Sequence, residues 1–462
     1  MLISFSVSNF RSFGREETLN MVASNKLSDH PNHRIPIGMT GKCVLRSAVI
    51  YGANAAGKSN LVQAMRVAQQ LIVSSDERPL LVEPFRFDRE TLKQPSSFEF
   101  RFLLGDRVFA YGFDVTSRRI FGEWLAVIKD DEAVPIFERN IDGVARIEDR
   151  ARKFFAHDTT LYNTLGLLAQ LPLTSNQLFL SRLRSLPTES QGPTLNAVVR
   201  WLTQDLVILR AQHRTDETLD RLHSDPAFRY FSSHFLRYMG TGIGDLDFAE
   251  TNRDFGDSEY LREFVRSNPS RHDLSALMGA PPDTYMRVRD DNPNQVIERK
   301  LLAVHDSKHD HFPLPFSEES DGTQQLLHFL PVLSPAEQSK VFVIDELDRS
   351  LHPLLCWEFI HFFSESRPGD RKQLIVTTHE AHLLDQMLLR RDEYWFVEKD
   401  AAQQSRLVSL SDFNIRNDLQ IQKGYLQGRF GAIPVIGSIE ELKRLLTQPS
   451  AEVGYAAKKA ST

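Results

Sequence analysis

Gly52-Ala53-Asn54-Ala55-Ala56-Gly57-Lys58-Ser59 matches the phosphate-binding pattern G-x-x-x-x-G-K-[ST] at every fixed position. Its flanks supply the context that the pattern needs. Ser47-Ala48-Val49-Ile50-Tyr51 is a short apolar run that reads as a buried strand, and Asn60 to Ala68 reads as an amphipathic helix. Strand, glycine loop and helix together predict a tight loop whose backbone N–H groups point at one anion, reinforced by the helix N-terminus. A chance glycine-rich turn is the competing reading, and the complete pattern with both flanks argues against it. Lys58 is expected to reach the β- and γ-phosphates of a nucleotide, and Ser59 to ligate Mg²⁺. Asn54, Gly57 and Asn60 fill out the expected nucleotide contacts.

Moving outward, 462 residues leave room for one large domain or two to three modules. Hydrophobic residues make up 41% and charged residues 25%, which is enough apolar material for a real core. No apolar run is long enough to span a bilayer, and the strand-like start at Leu2 to Val7 shows no signal-peptide pattern. Cys43 and Cys356 make neither a disulfide framework nor a zinc site. A cytoplasmic protein is the expectation. The net charge of −6 neither demands nor excludes nucleic acid, because a local basic groove can sit on an acidic chain.

Four segments are expected. Residues 1–140 read as an N-terminal lobe holding the glycine loop and an antiparallel meander. The first 59 residues look like the start of a mixed sheet, and alternating runs at Ser97–Leu104, Arg107–Val115, Glu123–Ile128 and Pro135–Arg139 follow. Residues 141–310 read as a mainly helical insertion, with helical spacing in Leu161–Leu173, Thr194–Ile208 and Pro226–Met239 and a loop-rich stretch from Asn268 to Gln295. Residues 311–445 return to alternating strand and helix, with central strands at Lys340–Ile344, Gln373–Thr377 and Tyr394–Glu398. Residues 446–462 read as a flexible tail. The expected class is α/β, with a mixed central sheet, an antiparallel β subdomain and a helical insertion.

Val341-Phe342-Val343-Ile344-Asp345-Glu346 is four apolar residues followed by two acids. Adjacent carboxylates at the end of a buried strand are costly unless they are used. Asp345 is expected to hold Mg²⁺, directly or through water, and Glu346 to polarise the water that attacks the γ-phosphate. Ser320-Asp321-Gly322-Thr323-Gln324-Gln325 caps an apolar helix and offers a second anion-binding N-terminus. Thr377-Thr378-His379-Glu380 ends a strand that should neighbour the glycine-loop strand, which would bring His379 to a γ-phosphate. Leu347 to Pro353, with Asp348 and Ser350, should line the same surface. Arg11 lies in the turn Asn9-Phe10-Arg11-Ser12-Phe13, where a surface charge and a contact to phosphate or base are both open readings.

The order of these pieces resembles the ATPase heads of the ABC class, including the RecF and SMC branches. Asn9–Phe13, Gly52–Ser59, Glu319–Gln324, Asp345–Pro353 and Gly424–Pro434 look like the stand-alone bacterial ATPases of phage-defence systems. These are the abortive-infection and RloA-type proteins, related to the ATPase subunits of OLD-like and PARIS-like systems. The resemblance covers about residues 1–440 and is weakest from 140 to 310. The signature stretch departs from the transporter form at Asp321 and Thr323 but keeps Ser320 and Gly322. Gln170, Gln177 and Gln212 are candidates for the glutamine that usually couples nucleotide to the lobes.

The resemblance implies ATP and Mg²⁺ as ligands and a head-to-tail homodimer or larger oligomer around two ATP molecules. Ser320, Gly322 and Gln324 of one chain would then face the nucleotide held by Lys58 of the other. It implies a regulatory ATPase of antiviral defence that controls a separate effector, of Toprim-type or another nuclease class. About sixty residues after the third strand are too few for an appended nuclease domain. A RecF-like DNA-binding clamp is the alternative, so nucleic acid stays open as a partner, and no membrane partner is expected.

Weaker signals have blander readings. Arg229 and His234 fit the R-x4-H spacing of some RNA-cleaving helical domains, yet such pairs arise by chance among 15 histidines. His305-Asp306-Ser307-Lys308-His309-Asp310-His311 carries metal-ligand residue types, and a charged solvated loop explains it equally. Arg182, Arg184, Arg210, His213 and Arg214 could form a basic surface or be salt-bridged.

Overall fold

The computed structural model describes residues 1–38, 41–73, 80–155, 158–171, 173–184, 186–209, 216–254, 263–264, 274–289, 295–306, 310–334, 337, 339–365, 370–413, 421–430, 439 and 443. Arg210, Gln212, His213, Arg214, Ser307 to His309, Gly431 to Pro434 and the 446–462 tail lie outside these residues, as do parts of the Asn268–Gln295 stretch.

The central sheet has six strands in the order β11-β16-β17-β5-β18-β19, formed by Leu206–Leu209, Val341–Ile344, Gln373–Thr377, Ser47–Gly52, Tyr394–Lys399 and Ser405–Ser409 respectively. All neighbours pair in parallel except β18 with β19, so the sheet is mixed. Its strands read as continuous apolar runs because both faces are covered. Successive side chains point to opposite faces, and they enter two different cores. Ala48, Ile50, Val341, Val343, Ile375 and Val397 pack on one side. Val49, Tyr51, Phe342, Ile344, Leu374, Val376 and Phe396 pack on the other.

The first core is completed by helix α1 (Lys58–Val73) and a seven-stranded antiparallel sheet. That sheet runs β10-β9-β8-β7-β6-β1-β2, from Ala145–Ile147, Glu132–Arg139, Ile120–Lys129, Arg107–Val115, Ser96–Leu104, Leu2–Ser8 and Glu17–Asn20. The N-terminal strands therefore do not extend the glycine-loop sheet, contrary to the reading of residues 1–59 as one mixed sheet. The alternation of Leu2 to Val7 is that of a strand whose outer face is polar. A small ribbon, β3 (Arg34–Pro36) with β4 (Cys43–Leu45), joins the two regions.

Helices α2 (Thr159–Ala169), α3 (Phe179–Arg184) and α4 (Thr188–Arg200) sit on the antiparallel sheet. Glu123 of β8 fixes them. Its carboxylate is wholly buried and accepts the Phe179 and Leu180 N–H groups at 2.6 and 2.9 Å and the Tyr111 hydroxyl at 3.0 Å. A buried carboxylate is tolerable only when so satisfied.

The helical reading of residues 141–310 is corrected in two places. The segment expected as one helix to Ile208 leaves α4 at Arg200, passes through a wide turn at Trp201–Asp205, and ends as β11, the edge of the central sheet. After α5 (Asp216–Ser224) and α6 (Pro226–Tyr238), the chain forms a four-stranded antiparallel sheet. It comprises β12 (Ile243–Asp254), β13 (Thr284–Val288), β14 (Gln295–Asp306) and β15 (His311–Pro315). The outer half of β12 is exposed on both sides, so no apolar alternation marks it as a strand. The second core is closed by helices Asp321–Leu333 and Pro353–Ser364, with Phe329 and Phe359 in ring contact at 5.2 Å.

Candidate nucleotide site

β5 delivers the glycine loop to the end of the central sheet, and α1 begins at Lys58. Gly57 has φ +121°, a conformation L side chains rarely adopt, and a Cβ there would run into the hydroxyls of Ser405 and Ser12. These two serines form the back wall of the loop. Ser405 donates its hydroxyl to the Ala56 carbonyl at 2.5 Å and its N–H to the Ser12 carbonyl at 2.7 Å. Asn60 donates to the Ser12 hydroxyl at 2.7 Å, so its side chain braces the wall. Asn54 and Ser59 are exposed on the open side.

Lys58 is 6% exposed. Its ammonium donates to the Gly52 carbonyl at 2.7 Å and lies 2.9 Å from His379 Nε2. Burial lowers the Lys58 pKa to about 8, and Asp348, Asp345 and Glu346 hold it from falling further. Burial, then the Lys58 charge, lowers the His379 pKa as well, which favours a neutral ring whose nitrogen accepts from the ammonium.

β16 and β17 run in register beside one another, which sets their ends level. Asp345 follows β16, and its Oδ1 accepts from Ser59 at 3.1 Å and from Thr377 at 2.6 Å. The Thr377 hydroxyl also accepts the Glu346 N–H at 2.8 Å. Glu346 has φ +58°, an unfavourable backbone state for a residue with a side chain. Its carboxylate is half exposed and 3.9 Å from Arg349. Asp348 accepts the His379 N–H at 3.1 Å, and its Oδ1 is buried without a hydrogen-bond partner among the described residues.

Hard oxygens at Ser59 and Asp345 fit Mg²⁺, which is commonly held by one or two protein groups with phosphates and waters supplying the rest. Among the described residues there is no group of three His, Cys, Asp or Glu side chains that could hold a metal alone. His311 bonds Asp306 at 2.8 Å and His305 bonds Glu319 at 2.6 Å, so both described histidines of the run are already held by carboxylates.

The structure thus brings Lys58, Ser59, Asp345, Glu346, Asp348 and His379 together. Arg11 is elsewhere engaged: its guanidinium pairs with Glu83 at 2.7 Å, and its neighbour Ser12 is what reaches the loop. Among the described residues, Ser320, Gly322 and Gln324 make no hydrogen bond to Lys58 or Ser59 of their own chain. Ser320 caps its own helix by accepting the Thr323 N–H at 3.2 Å, and Gln324 donates to the Ser317 and Glu319 carbonyls. A Cβ on Gly322 would lie 2.7 Å from the Ser350 carbonyl oxygen, so the signature and Asp348–Ser350 segments pack together as one surface. His352 caps the helix that starts at Pro353. His234 lies against Tyr230 in a tilted ring contact, with centroids 3.9 Å apart, and bonds its carbonyl; Arg182 and Arg184 donate to the Leu171 and Val73 carbonyls.

Three contributors escaped sequence reading. Thr377 looks like any β-branched strand residue, and Ser12 and Ser405 are small polar residues far apart in the chain. Only Thr377 carried a signal, its place at the end of the strand beside the glycine loop.

No helix among the described residues is long and apolar enough to cross a membrane. A search of curated proteins found no match. Among solved structures, the SMC head domain from Thermotoga maritima is similar at 13% identity over 88% of this chain and 98% of that chain, with a TM-score of 0.36. The family model described as "AAA domain, putative AbiEii toxin, Type IV TA system" matches residues 47–194 and 199–385, from the glycine-loop strand through the Thr377–His379 strand end. That span takes in Lys58, Asp345, Glu346 and His379 and most of the chain, which belongs to this AAA-domain family of P-loop proteins.

Proposed function

We propose that this chain binds and hydrolyses ATP, and that it serves as the regulatory ATPase of a bacterial antiviral, abortive-infection-like system. It assembles head to tail around ATP and controls a separate effector, of nuclease class. The carrying observation is the chain of contacts from Ser59 through Asp345 and Thr377 to Glu346, with Lys58 and His379 beside it. The family's description, with its "putative AbiEii toxin, Type IV TA system", supports the biological setting.

In this reading the buried Lys58 ammonium exchanges the Gly52 carbonyl and His379 for phosphate oxygens. Ser59 and Asp345 would hold Mg²⁺, which would supply charge neutralisation at the phosphates. Glu346, pinned by Thr377, orients the attacking water from the open side. His379, anchored through Asp348, follows the γ-phosphate. Ser320, Gly322 and Ser350 present one surface to the partner's nucleotide. Asn54 is exposed on the loop side, and Arg11 would reach the nucleotide only by releasing Glu83.

Lys58→Ala is expected to lose ATP binding, and Glu346→Gln to bind ATP but turn over slowly. Glu346→Gln, purified from its host with ATP and Mg²⁺, should retain a stoichiometric second protein. Normal turnover in Glu346→Gln refutes the hydrolytic assignment. Retained nucleic acid without a second protein would replace the regulatory reading with a DNA clamp.

A further inference from the structure

β14 and β15 lead directly into the signature stretch. β15 ends at Pro315, paired with Leu302, and only Phe316 to Glu319 separate it from Ser320. Two polar contacts tie the four-stranded sheet to this junction. His305, near the end of β14, meets Glu319 at 2.6 Å, and the Glu319 side chain is 11% exposed. Asp283, 3% exposed and just ahead of β13, accepts the Ser317 N–H at 3.0 Å, while its carbonyl accepts the Leu301 N–H of β14 at 2.9 Å. From the opposite side, Gln324 donates to the Ser317 and Glu319 carbonyls at 3.1 and 2.8 Å. Phe316 is sunk in the second core. The junction is therefore clamped between the sheet and the signature helix by directional bonds, while Ser320 stays exposed.

We propose that His305 and Asp283 are positioning residues for the signature stretch. Through them the β12–β15 sheet sets whether Ser320 and Gly322 are presented to a partner chain. This rests on the head-to-tail reading above. Among the described residues neither side chain bonds the glycine loop of its own chain, so their effect falls on the partner's nucleotide and not on nucleotide binding in the same chain. The sheet gives this a long reach. From His305 back to Gln295, β14 runs on the order of 34 Å beside β12. A displacement along that ladder arrives at Glu319 without touching ATP.

Mixing of variants tests this. His305→Ala alone is expected to lower kcat on the order of tenfold, the loss typical of a hydrogen bond to a charged partner, with nucleotide affinity unchanged. His305→Gln, whose amide can donate to Glu319, should keep most of the rate. Mixed with Lys58→Ala chains, His305→Ala should regain turnover. The hybrid joins an intact glycine loop from one chain to an undisturbed signature stretch from the other. Ser320→Arg mixed with Lys58→Ala is the reference. If the reference recovers and the His305→Ala mixture does not, or if His305→Ala alone matches the parent, the positioning role is overturned. If the reference itself fails to recover, the head-to-tail reading has failed and the proposal falls with it. Loss of nucleotide affinity in His305→Ala likewise overturns the role, and Glu319→Ala repeats the test from the other side of the contact.

Discussion

Thr377→Val is the sharpest probe of the site. The substitution keeps shape and β-branching in a strand position that is 0% exposed and removes only the hydroxyl. That hydroxyl makes two bonds, donating to Asp345 at 2.6 Å and accepting the Glu346 N–H at 2.8 Å. Losing a bond to a carboxylate costs about 1.5–3 kcal/mol, and stranding the amide about 1–3 kcal/mol. Glu346 is also held at φ +58°, a state that costs about 1–2 kcal/mol and persists only while its neighbours enforce it. In the proposed mechanism, losing the pin frees the carboxylate to leave the place from which it would orient water. If about 2.7 kcal/mol of this appears in the transition state, turnover falls about 100-fold. Nucleotide affinity should change far less, because Lys58 and the loop amides are untouched. Steady-state hydrolysis with a fluorescent-nucleotide binding curve separates the two, and Thr377→Ser should stay near the parent. A folded Thr377→Val chain within about threefold of parental kcat, a loss under ~0.7 kcal/mol, would refute the pinning argument.

Two further outcomes follow from the same geometry. Gly322→Ala must displace the Ser350 carbonyl 2.7 Å from the new Cβ, so it should abolish ATP-dependent assembly in sedimentation while single chains still bind nucleotide. The depressed pKa of Lys58, about 8, gives a pH signature. Phosphate favours the ammonium, so above about pH 8 binding must take up a proton and ATP affinity should fall with rising pH, read by calorimetry in buffers of different ionisation heat. For the free chain the sign is opposite. The unfolded state holds the proton up to about 10.5, so the cost of the buried ammonium is full below about pH 8 and fades between 8 and 10.5, raising stability over that interval.

Much of this architecture could be read in advance where local pattern and burial agree. β5, β16 and β17 announce themselves because strands covered on both faces need unbroken apolar runs, and Asp345-Glu346 stand out because acids are expensive there. β11 did not, since Leu206 to Leu209 continues the apolar spacing of α4 and a four-residue run does not distinguish strand from helix. β12 did not, because six consecutive exposed residues leave no face to alternate. At the site, the residues expected to meet the nucleotide directly are typed by their chemistry. Thr377, Ser12 and Ser405 act through single hydroxyls whose partners are set only by the fold, such as the Ser405–Ala56 bond across 349 residues.

The place of β5 between β17 and β18 has a consequence for synthesis. The glycine loop leaves the ribosome well before the strand end that carries His379, because Lys58 and His379 are 321 residues apart. At about 5–20 residues per second, the nascent loop waits about 15–60 s for the strands that complete its sheet. Until then β5 has two unpaired apolar edges, and no ATP-binding chain exists. A chain interrupted anywhere in that interval has the nucleotide motif in full and none of the chemistry, so an incomplete copy stays inert by topology alone.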